Sequence, residues 1–274
     1  MKTIIAYNEH EVKTDASLDD LGYGYNVWID LVDPDHDELM GLANKFNLDP
    51  DALETFFNKS KKPEIRLLDN HTFTVMLDMK NKDPKTLETE GIYFFLGRKW
   101  LITIHSPEVN LKELVERLFR VKNKKIKEAQ IDGLYYNILA DIVTRYEQLL
   151  TALELSVNEY QRRSFVRPTP QIFDSIETLS RKTIILRRHF WRVRNIINFL
   201  VHNEHGTKNG NIRQRKFGAV SNLTTLDILC TQFVMGLAGI TIRPNQMPLP
   251  SVMKNSNSQH TYFLHISANS PAAG

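Results

Sequence analysis

Apolar residues in the stretch from Ile131 to Glu204 recur at steps of three and four, which is the spacing of one face of an α-helix. Two sets follow this spacing, separated by a proline-containing break at 165–170. Such spacing predicts two long amphipathic helices that pack against each other as an antiparallel hairpin. The first set comprises Ile138, Ile142, Tyr146, Leu149, Leu153, Val157 and Tyr160; the second comprises Ile172, Phe173, Ile176, Leu179, Leu186, Phe190, Val193, Ile197 and Leu200.

The break predicts where the first helix ends and the second begins. Pro168 and Pro170 cannot continue a helix, and Thr169 followed by Pro170 is typical of an N-cap and a first helical residue. The spacing from Ile176 onward approaches a heptad seam, so a partner helix is expected along most of its length. If the first helix covers only part of this seam, weak self-association is expected through a partly exposed stripe of Phe190, Val193, Ile197 and Leu200.

The pattern before residue 131 is different, because short β-branched and aromatic runs alternate with short helical patterns. It predicts an α+β fold with a mixed or antiparallel sheet of about six strands and packed helices, followed by the hairpin and an irregular tail. Asp33 is the expected cap of the first helix, with Pro34 as its first residue. The predicted strands are 2–7, 27–31, 64–68, 72–77, 91–96 and 100–104, and the helical faces are at 39–46, 50–57 and 111–119.

Composition narrows the class of protein only slightly. Charged residues make up 24% and hydrophobic residues 42% of the chain, which is typical of a soluble globular protein. The net charge of +3 is too small to indicate nucleic acid binding. The single cysteine, Cys230, excludes an intrachain disulfide and a zinc site made of thiolates.

The composition changes after Glu204, because only Asp227 of the 32 acidic residues lies in the last 70 positions. We therefore expect an α/β domain at 1–130, the hairpin at 131–204 and a divergent tail at 205–274, either disordered or frameshifted. The apolar window at 226–242 contains a charge and is shorter than the roughly 20 apolar residues that a bilayer span needs, so it is not expected to cross a membrane. No signal peptide is expected at the start of the chain.

Enzyme chemistry is not indicated by the motifs. The nine histidines form no HExxH pattern, and the chain has neither a glycine-rich phosphate loop nor a nucleophile elbow. His105 follows a strand, but the sequence indicates no partner acid, so a structural role is expected. The acidic run from Asp30 to Glu38 lacks the glycine and the final acid of a calcium loop and is better explained by helix capping.

Five blocks, taken in order, resemble the CorA-type magnesium and cobalt transporters over about residues 1–203. Two of them are the opening Val27–Pro34 run and the strand pair of Phe94–Gly97 and Leu101–His105. The full set also includes Leu53-Glu54 with Lys62–Ile65, Leu139–Val143 with Tyr146-Glu147, and Leu186–Arg188 with Arg192–Ile197.

The resemblance implies a CorA-like transmembrane transport protein for divalent cations (Mg²⁺ and Co²⁺), represented here by its cytoplasmic metal-sensing domain. In that family five subunits surround one pore in the cell membrane. On this basis residues 1–204 are expected to be cytoplasmic, and the working form a homopentamer. The alternative is a soluble stand-alone or vestigial regulatory domain that does not transport.

The chain departs from the family pattern, since it contains no Gly-Met-Asn signature and no stalk or two clean spans follow the second long helix. A truncated or frameshifted gene would explain this departure.

Two acids match the family's regulatory magnesium site, namely Glu54 and Asp141. Mg²⁺ takes oxygen ligands and keeps several waters, so one or two carboxylates per site are enough. Thr55 stands where the family often has a further acid. For Glu54 the alternative, equally well supported, is an exposed helix acid without a ligand. For Asp141 the alternative is an ion pair with an arginine such as Arg187 or Arg188.

Overall fold

A seven-stranded mixed sheet forms the centre of the molecule. The computed structural model describes residues 1–82, 87–121, 123–128, 130–167 and 169–202. The sheet has the order β2-β1-β3-β7-β6-β5-β4. Its strands are β1 Lys2–Tyr7, β2 Val12–Lys13, β3 Asn26–Val32, β4 Glu64–Leu67, β5 Thr72–Asn81, β6 Leu87–Leu96 and β7 Trp100–His105.

Among the described strands, one parallel pair joins two antiparallel parts of this sheet. Strand β3 runs parallel to β7 with Asp30 opposite Thr103 and Val32 opposite His105. The other adjacent pairs are antiparallel. The β3–β7 ladder therefore connects the β2-β1-β3 part to the β7-β6-β5-β4 part.

Helices cover both faces of the sheet, which confirms the predicted α+β class. Helices α1 and α2 pack with one set of strand residues, including Ile29 and Val75. Helices α3 to α6 pack with the alternate set, including Trp28 and Met76. The helices are α1 His36–Phe46, α2 Pro50–Phe57, α3 Leu111–Val121, α4 Asn123–Glu128, α5 Gln130–Val166 and α6 Pro170–His202, with a 3-10 turn at Leu18–Leu21.

The predicted hairpin of two long helices is confirmed as α5 and α6, and the Thr169 backbone carbonyl accepts from Ile172 N–H at the start of α6. This hairpin shares its core with the sheet. The Tyr146 hydroxyl donates to the backbone carbonyl of Leu77, and the Tyr146 ring lies 5.3 Å from that of Phe190. The core that includes Leu77 thus continues through α5 into α6.

The expectation of an exposed stripe on α6 is wrong. Phe190, Val193, Ile197 and Leu200 are all buried, because α6 turns this face into the core shared with α5 and the sheet. Among the described side chains of α6, the large apolar residues that are exposed are instead Ile184, Ile185 and Trp191.

Local details also differ from the expected ones. The N-cap of α1 is Asp35, whose carboxylate accepts from the Glu38 N–H at 2.7 Å, whereas Asp33 adopts a left-handed conformation with φ of 46°. Strand β2 has only two residues and was not predicted. The predictions for the tail at 205–274, with its apolar window at 226–242, lie outside the described residues. Over the described part of the chain, none of the helices combines the length and the apolar character required to cross a bilayer.

Candidate functional site

The carboxylate of Asp141 on α5 lies between two arginines. Arg117 on α3 donates from Nη2 to Oδ1 at 2.6 Å. Arg145, one turn further along α5, places Nε 3.4 Å from Oδ2. About a quarter of the Asp141 side chain is exposed, against 57% of the Arg117 side chain. Both oxygens of Asp141 therefore face guanidinium groups in this subunit.

Arg145 extends this cluster into the core. Its Nη1 lies 3.0 Å from Oδ1 of Asp78 on β5, whose side chain is only 4% exposed. Lys80 places Nζ 3.3 Å from the other Asp78 oxygen, Oδ2. A buried carboxylate is stable only when it is paired, so Asp78 holds Arg145 in place. Arg117, by contrast, lies at the rim of the cluster.

The structure thus shows arginine partners for Asp141, although the expected source was the second long helix. Arg117 comes from α3, and Arg145 from the same helix as Asp141. The pairing with Arg145 follows the i, i+4 spacing and is readable from sequence. The pairing with Arg117 depends on the packing of α3 against α5 and has no local signal.

The other predicted ligand, Glu54, is exposed on α2 and accepts a hydrogen bond from the Asn58 side chain at 3.4 Å. Helix α2 packs on the opposite face of the sheet from α5. One subunit therefore does not bring Glu54 and Asp141 together. Among the described residues, no three acidic, histidine or cysteine side chains cluster as metal ligands would.

A second polar group, missed from the sequence, lies buried between β3 and β7. His105 places Nε2 3.1 Å from Oδ1 of Asp30. The same oxygen accepts from the Thr103 hydroxyl at 2.5 Å, and that hydroxyl accepts from the Trp28 indole N–H at 3.0 Å. Asp30 is thus a partner acid for His105 that the sequence did not indicate, and a structural role for His105 stays a prediction. Burial lowers the pKa of His105, but the hydrogen bond and charge of Asp30 outweigh it, so that the pKa of His105 is raised.

Comparisons with known proteins identify the family of this chain. The model of the family described as CorA-like Mg2+ transporter protein matches residues 23–225. The chain belongs to the CorA-like Mg²⁺ transporter family. The match continues beyond residue 203, where the resemblance read from the sequence ends.

Curated relatives of this CorA-like chain are named as metal transporters. The cobalt/magnesium transport protein CorA of Methanocaldococcus jannaschii is 24% identical over 188 residues, covering 68% of this chain and 58% of the relative. The putative metal ion transporter YfjQ of Bacillus subtilis is 25% identical over 179 residues, covering 65% of this chain and 54% of that protein. The chain thus spans little more than half the length of these relatives.

Solved structures support the same fold. The complete CorA magnesium transporter of Methanocaldococcus jannaschii matches with a TM-score of 0.69 at 19% identity, over 87% of this chain and 72% of that one. The soluble domain of that transporter matches with a TM-score of 0.64 at 18% identity, over 87% of this chain and 94% of the domain. The described sheet and helices therefore have the fold of the soluble domain of CorA.

Proposed function

We propose that this chain acts in the transport of Mg²⁺ and Co²⁺ across the cell membrane within a CorA-like homopentamer, with residues 1–204 as its cytoplasmic part. The observation that carries the proposal is the family match over residues 23–225. The names of the curated relatives support divalent cations as the transported substrate. The proposed role is therefore passage of an ion, with no catalytic step.

A second candidate is a stand-alone or vestigial domain of the same family that does not transport. The observation that favours it is the near-complete match, 94%, to a soluble domain. Expression of the full chain in a host deficient in magnesium transport separates the two. Transport predicts magnesium uptake and recovery of the protein in the membrane fraction. A product that remains in the soluble fraction and restores no uptake supports the second candidate.

The proposed regulatory site joins Glu54 of one subunit to Asp141 of its neighbour, with Mg²⁺ between them. Glu54 is exposed on one face of the sheet and Asp141 is partly exposed on the other, so a ring of subunits could bring them together. Carboxylate oxygens are the ligands that Mg²⁺ takes, and the ion keeps most of its water. Within one subunit these residues do not fit a complete magnesium site.

Binding at Asp141 requires an exchange of cations. Arg117 is more than half exposed and would leave Asp141 at little cost, since exposed ion pairs contribute about 0–1 kcal/mol. Arg145 would stay, because the buried carboxylate of Asp78 holds it. The proposed site therefore takes Mg²⁺ only when the ion replaces the Arg117 guanidinium.

Magnesium titrations of wild type and Asp141→Asn test this site. A ligand that binds only the assembled form stabilises it by about 2.7 kcal/mol at a hundredfold excess over its Kd. Millimolar Mg²⁺ is expected to raise the melting temperature or the oligomer fraction of the wild type, and Asp141→Asn is expected to remove most of this response.

Asp174→Asn is the matched control, because it removes one exposed carboxylate from α6 and leaves the proposed site intact. It should respond to Mg²⁺ as the wild type does. If Asp141→Asn instead lowers the melting temperature equally with and without Mg²⁺, the acid serves only its arginine partners and the metal site is refuted.

A further inference from the structure

A chain of hydrogen bonds crosses the parallel junction of the sheet on its α5 side. It runs from the Trp28 indole to the Thr103 hydroxyl, then to Asp30, His105 and the backbone carbonyl of Ser106. The Trp28, Asp30, Thr103 and His105 side chains are almost fully buried. Water cannot replace a partner here, so each group depends on its neighbour in the chain.

The two ends of this chain fix the direction of the hydrogen bonds. An indole N–H can only donate, so the Thr103 hydroxyl accepts from Trp28 and gives its own hydrogen to Asp30. A backbone carbonyl can only accept, and Nδ1 of His105 lies 2.8 Å from that of Ser106. Nδ1 must therefore carry a proton.

The remaining contact joins Nε2 of His105 to Oδ1 of Asp30 at 3.1 Å. A neutral imidazole with its proton on Nδ1 would direct the Nε2 lone pair at this carboxylate oxygen. Two acceptors would then face each other in a buried site. A proton on Nε2 removes the conflict and makes the ring a cation paired with Asp30.

We infer that His105 is held as an imidazolium in a buried ion pair with Asp30, and that this pair is a pH-sensitive lock between β3 and β7. Its position matters because the β3–β7 ladder joins the two antiparallel parts of the sheet. Loss of the proton would place a lone pair against a carboxylate at that junction.

The neighbouring charges favour the cation. Asp78 on β5 adds a negative charge that acts on His105, although Arg145 from α5 and Lys80 also pair with Asp78. Glu90 on β6 approaches from the side of Ser106, whose hydroxyl donates to it at 3.3 Å. Burial alone lowers the pKa of His105. The hydrogen bond and charge of Asp30, the hydrogen bond to the Ser106 carbonyl and the charge of Asp78 together raise it above its ordinary value.

The sign of the pH effect follows from this raised pKa. The folded protein keeps a proton that the unfolded chain loses near pH 6.5. The stability from the pair is complete below about pH 6.5 and is lost as the pH rises through the folded pKa. In that window the unfolding equilibrium constant rises with pH, and the limit for this single proton is about tenfold per pH unit.

Nitrogen NMR of the histidine rings in the full chain tests the charge state directly. At about pH 6.5 an ordinary exposed histidine is about half protonated, whereas the His105 ring is expected to carry protons on both nitrogens in most molecules. The Asp30 carboxyl carbon should show an ionised group at the same pH. A neutral His105 ring at this pH overturns the inference.

Chemical unfolding from about pH 6 to 9 tests the lock. His105→Gln keeps an amide that can donate to Asp30 but cannot titrate. The unfolding constant of this variant should therefore rise less with pH than that of the wild type. His10→Gln, at an exposed position, is the control and should behave as the wild type does. A pH dependence of unfolding in His105→Gln equal to that of the wild type refutes the lock. If this variant does not fold, the charge state of His105 measured by NMR in the wild type decides whether the inference holds.

Discussion

Two buried histidines in this protein have opposite environments. His105 faces an acid at Nε2 and a carbonyl at Nδ1. His71, directly before β5, packs against the rings of Phe95 and Trp100, and its Nε2 has no hydrogen-bond partner in the described structure. One ring is therefore stabilised as a cation and the other as a neutral group.

The His71 environment predicts sensitivity to acid. Burial lowers the pKa of His71 to about 4, against a weak opposing effect of Asp49. Between pH 6.5 and 4 the unfolded chain binds a proton that the folded protein excludes, so the free energy of unfolding falls as the pH falls. The full shift corresponds to a loss of roughly 3 kcal/mol in the free energy of unfolding.

His71→Phe removes the titrating group and retains an aromatic ring beside Phe95 and Trp100. Denaturant unfolding at several pH values should show a smaller loss of stability in acid for this variant than for the wild type. His10→Gln should retain the full acid sensitivity. A His71→Phe protein with the acid sensitivity of the wild type would contradict the assignment of His71 as a neutral core residue.

At the scale of elements, the turn between β6 and β7 depends on the absence of a side chain. A Cβ on Gly97 would lie 2.0 Å from Cε2 of Trp100. The Trp100 ring cannot easily yield, because it packs 4.7 Å from the ring of Phe46. Gly97→Ala is therefore expected to destabilise the protein by about 1–3 kcal/mol, measured by denaturant unfolding.

Gly41 is the matched control position, at which the same change to alanine should raise the stability of the protein. It lies within α1, is exposed, and a Cβ there meets nothing within 4 Å. Alanine favours a helix over glycine by about 1 kcal/mol, so Gly41→Ala should stabilise the protein. Equal changes in the free energy of unfolding for the two substitutions would show that the Trp100 ring does not prevent a side chain at residue 97.

Local sequence signals were sufficient for most elements. The strands β4 to β7, the helices α1 to α3 and the α5–α6 hairpin follow from apolar runs and periodicity. Sequence spacing could not give the β3–β7 pairing, because Asp30 and His105 lie 75 positions apart and meet only through a parallel register. The contact of Arg117 with Asp141 similarly depends on how α3 packs against α5, and the local sequence of neither helix indicates it.

At the scale of the molecule, the sheet separates the two proposed magnesium ligands. Glu54 belongs to the layer of α1 and α2, and Asp141 to the layer of α3, α5 and α6. A subunit with one ligand on each face can complete the proposed site only through a neighbour. The two acids are proposed from the resemblance read in the sequence, and the layer order explains why such a site would be linked to assembly.

The same layer order predicts how the molecule unfolds. The boundary expected at residue 130 treats the hairpin as a separate unit, yet one core runs from the sheet through α5 to α6. Phe190 on α6 is 1% exposed and contacts Tyr146, whose hydroxyl is bonded to β5. Phe190→Ala should therefore lower the stability of the sheet and the hairpin together, by about 3–5 kcal/mol.

Amide hydrogen exchange on β5 and on α6 measures the two parts separately under the same conditions. In Phe190→Ala, protection should fall by the same free energy in both elements, because opening either exposes the shared core. Trp191→Ala is the control, since this neighbouring ring is 50% exposed and its removal should change protection by less than about 1 kcal/mol in either element. If protection falls on α6 alone while β5 keeps its wild-type value, the hairpin unfolds independently and the division at residue 130 is a true domain boundary.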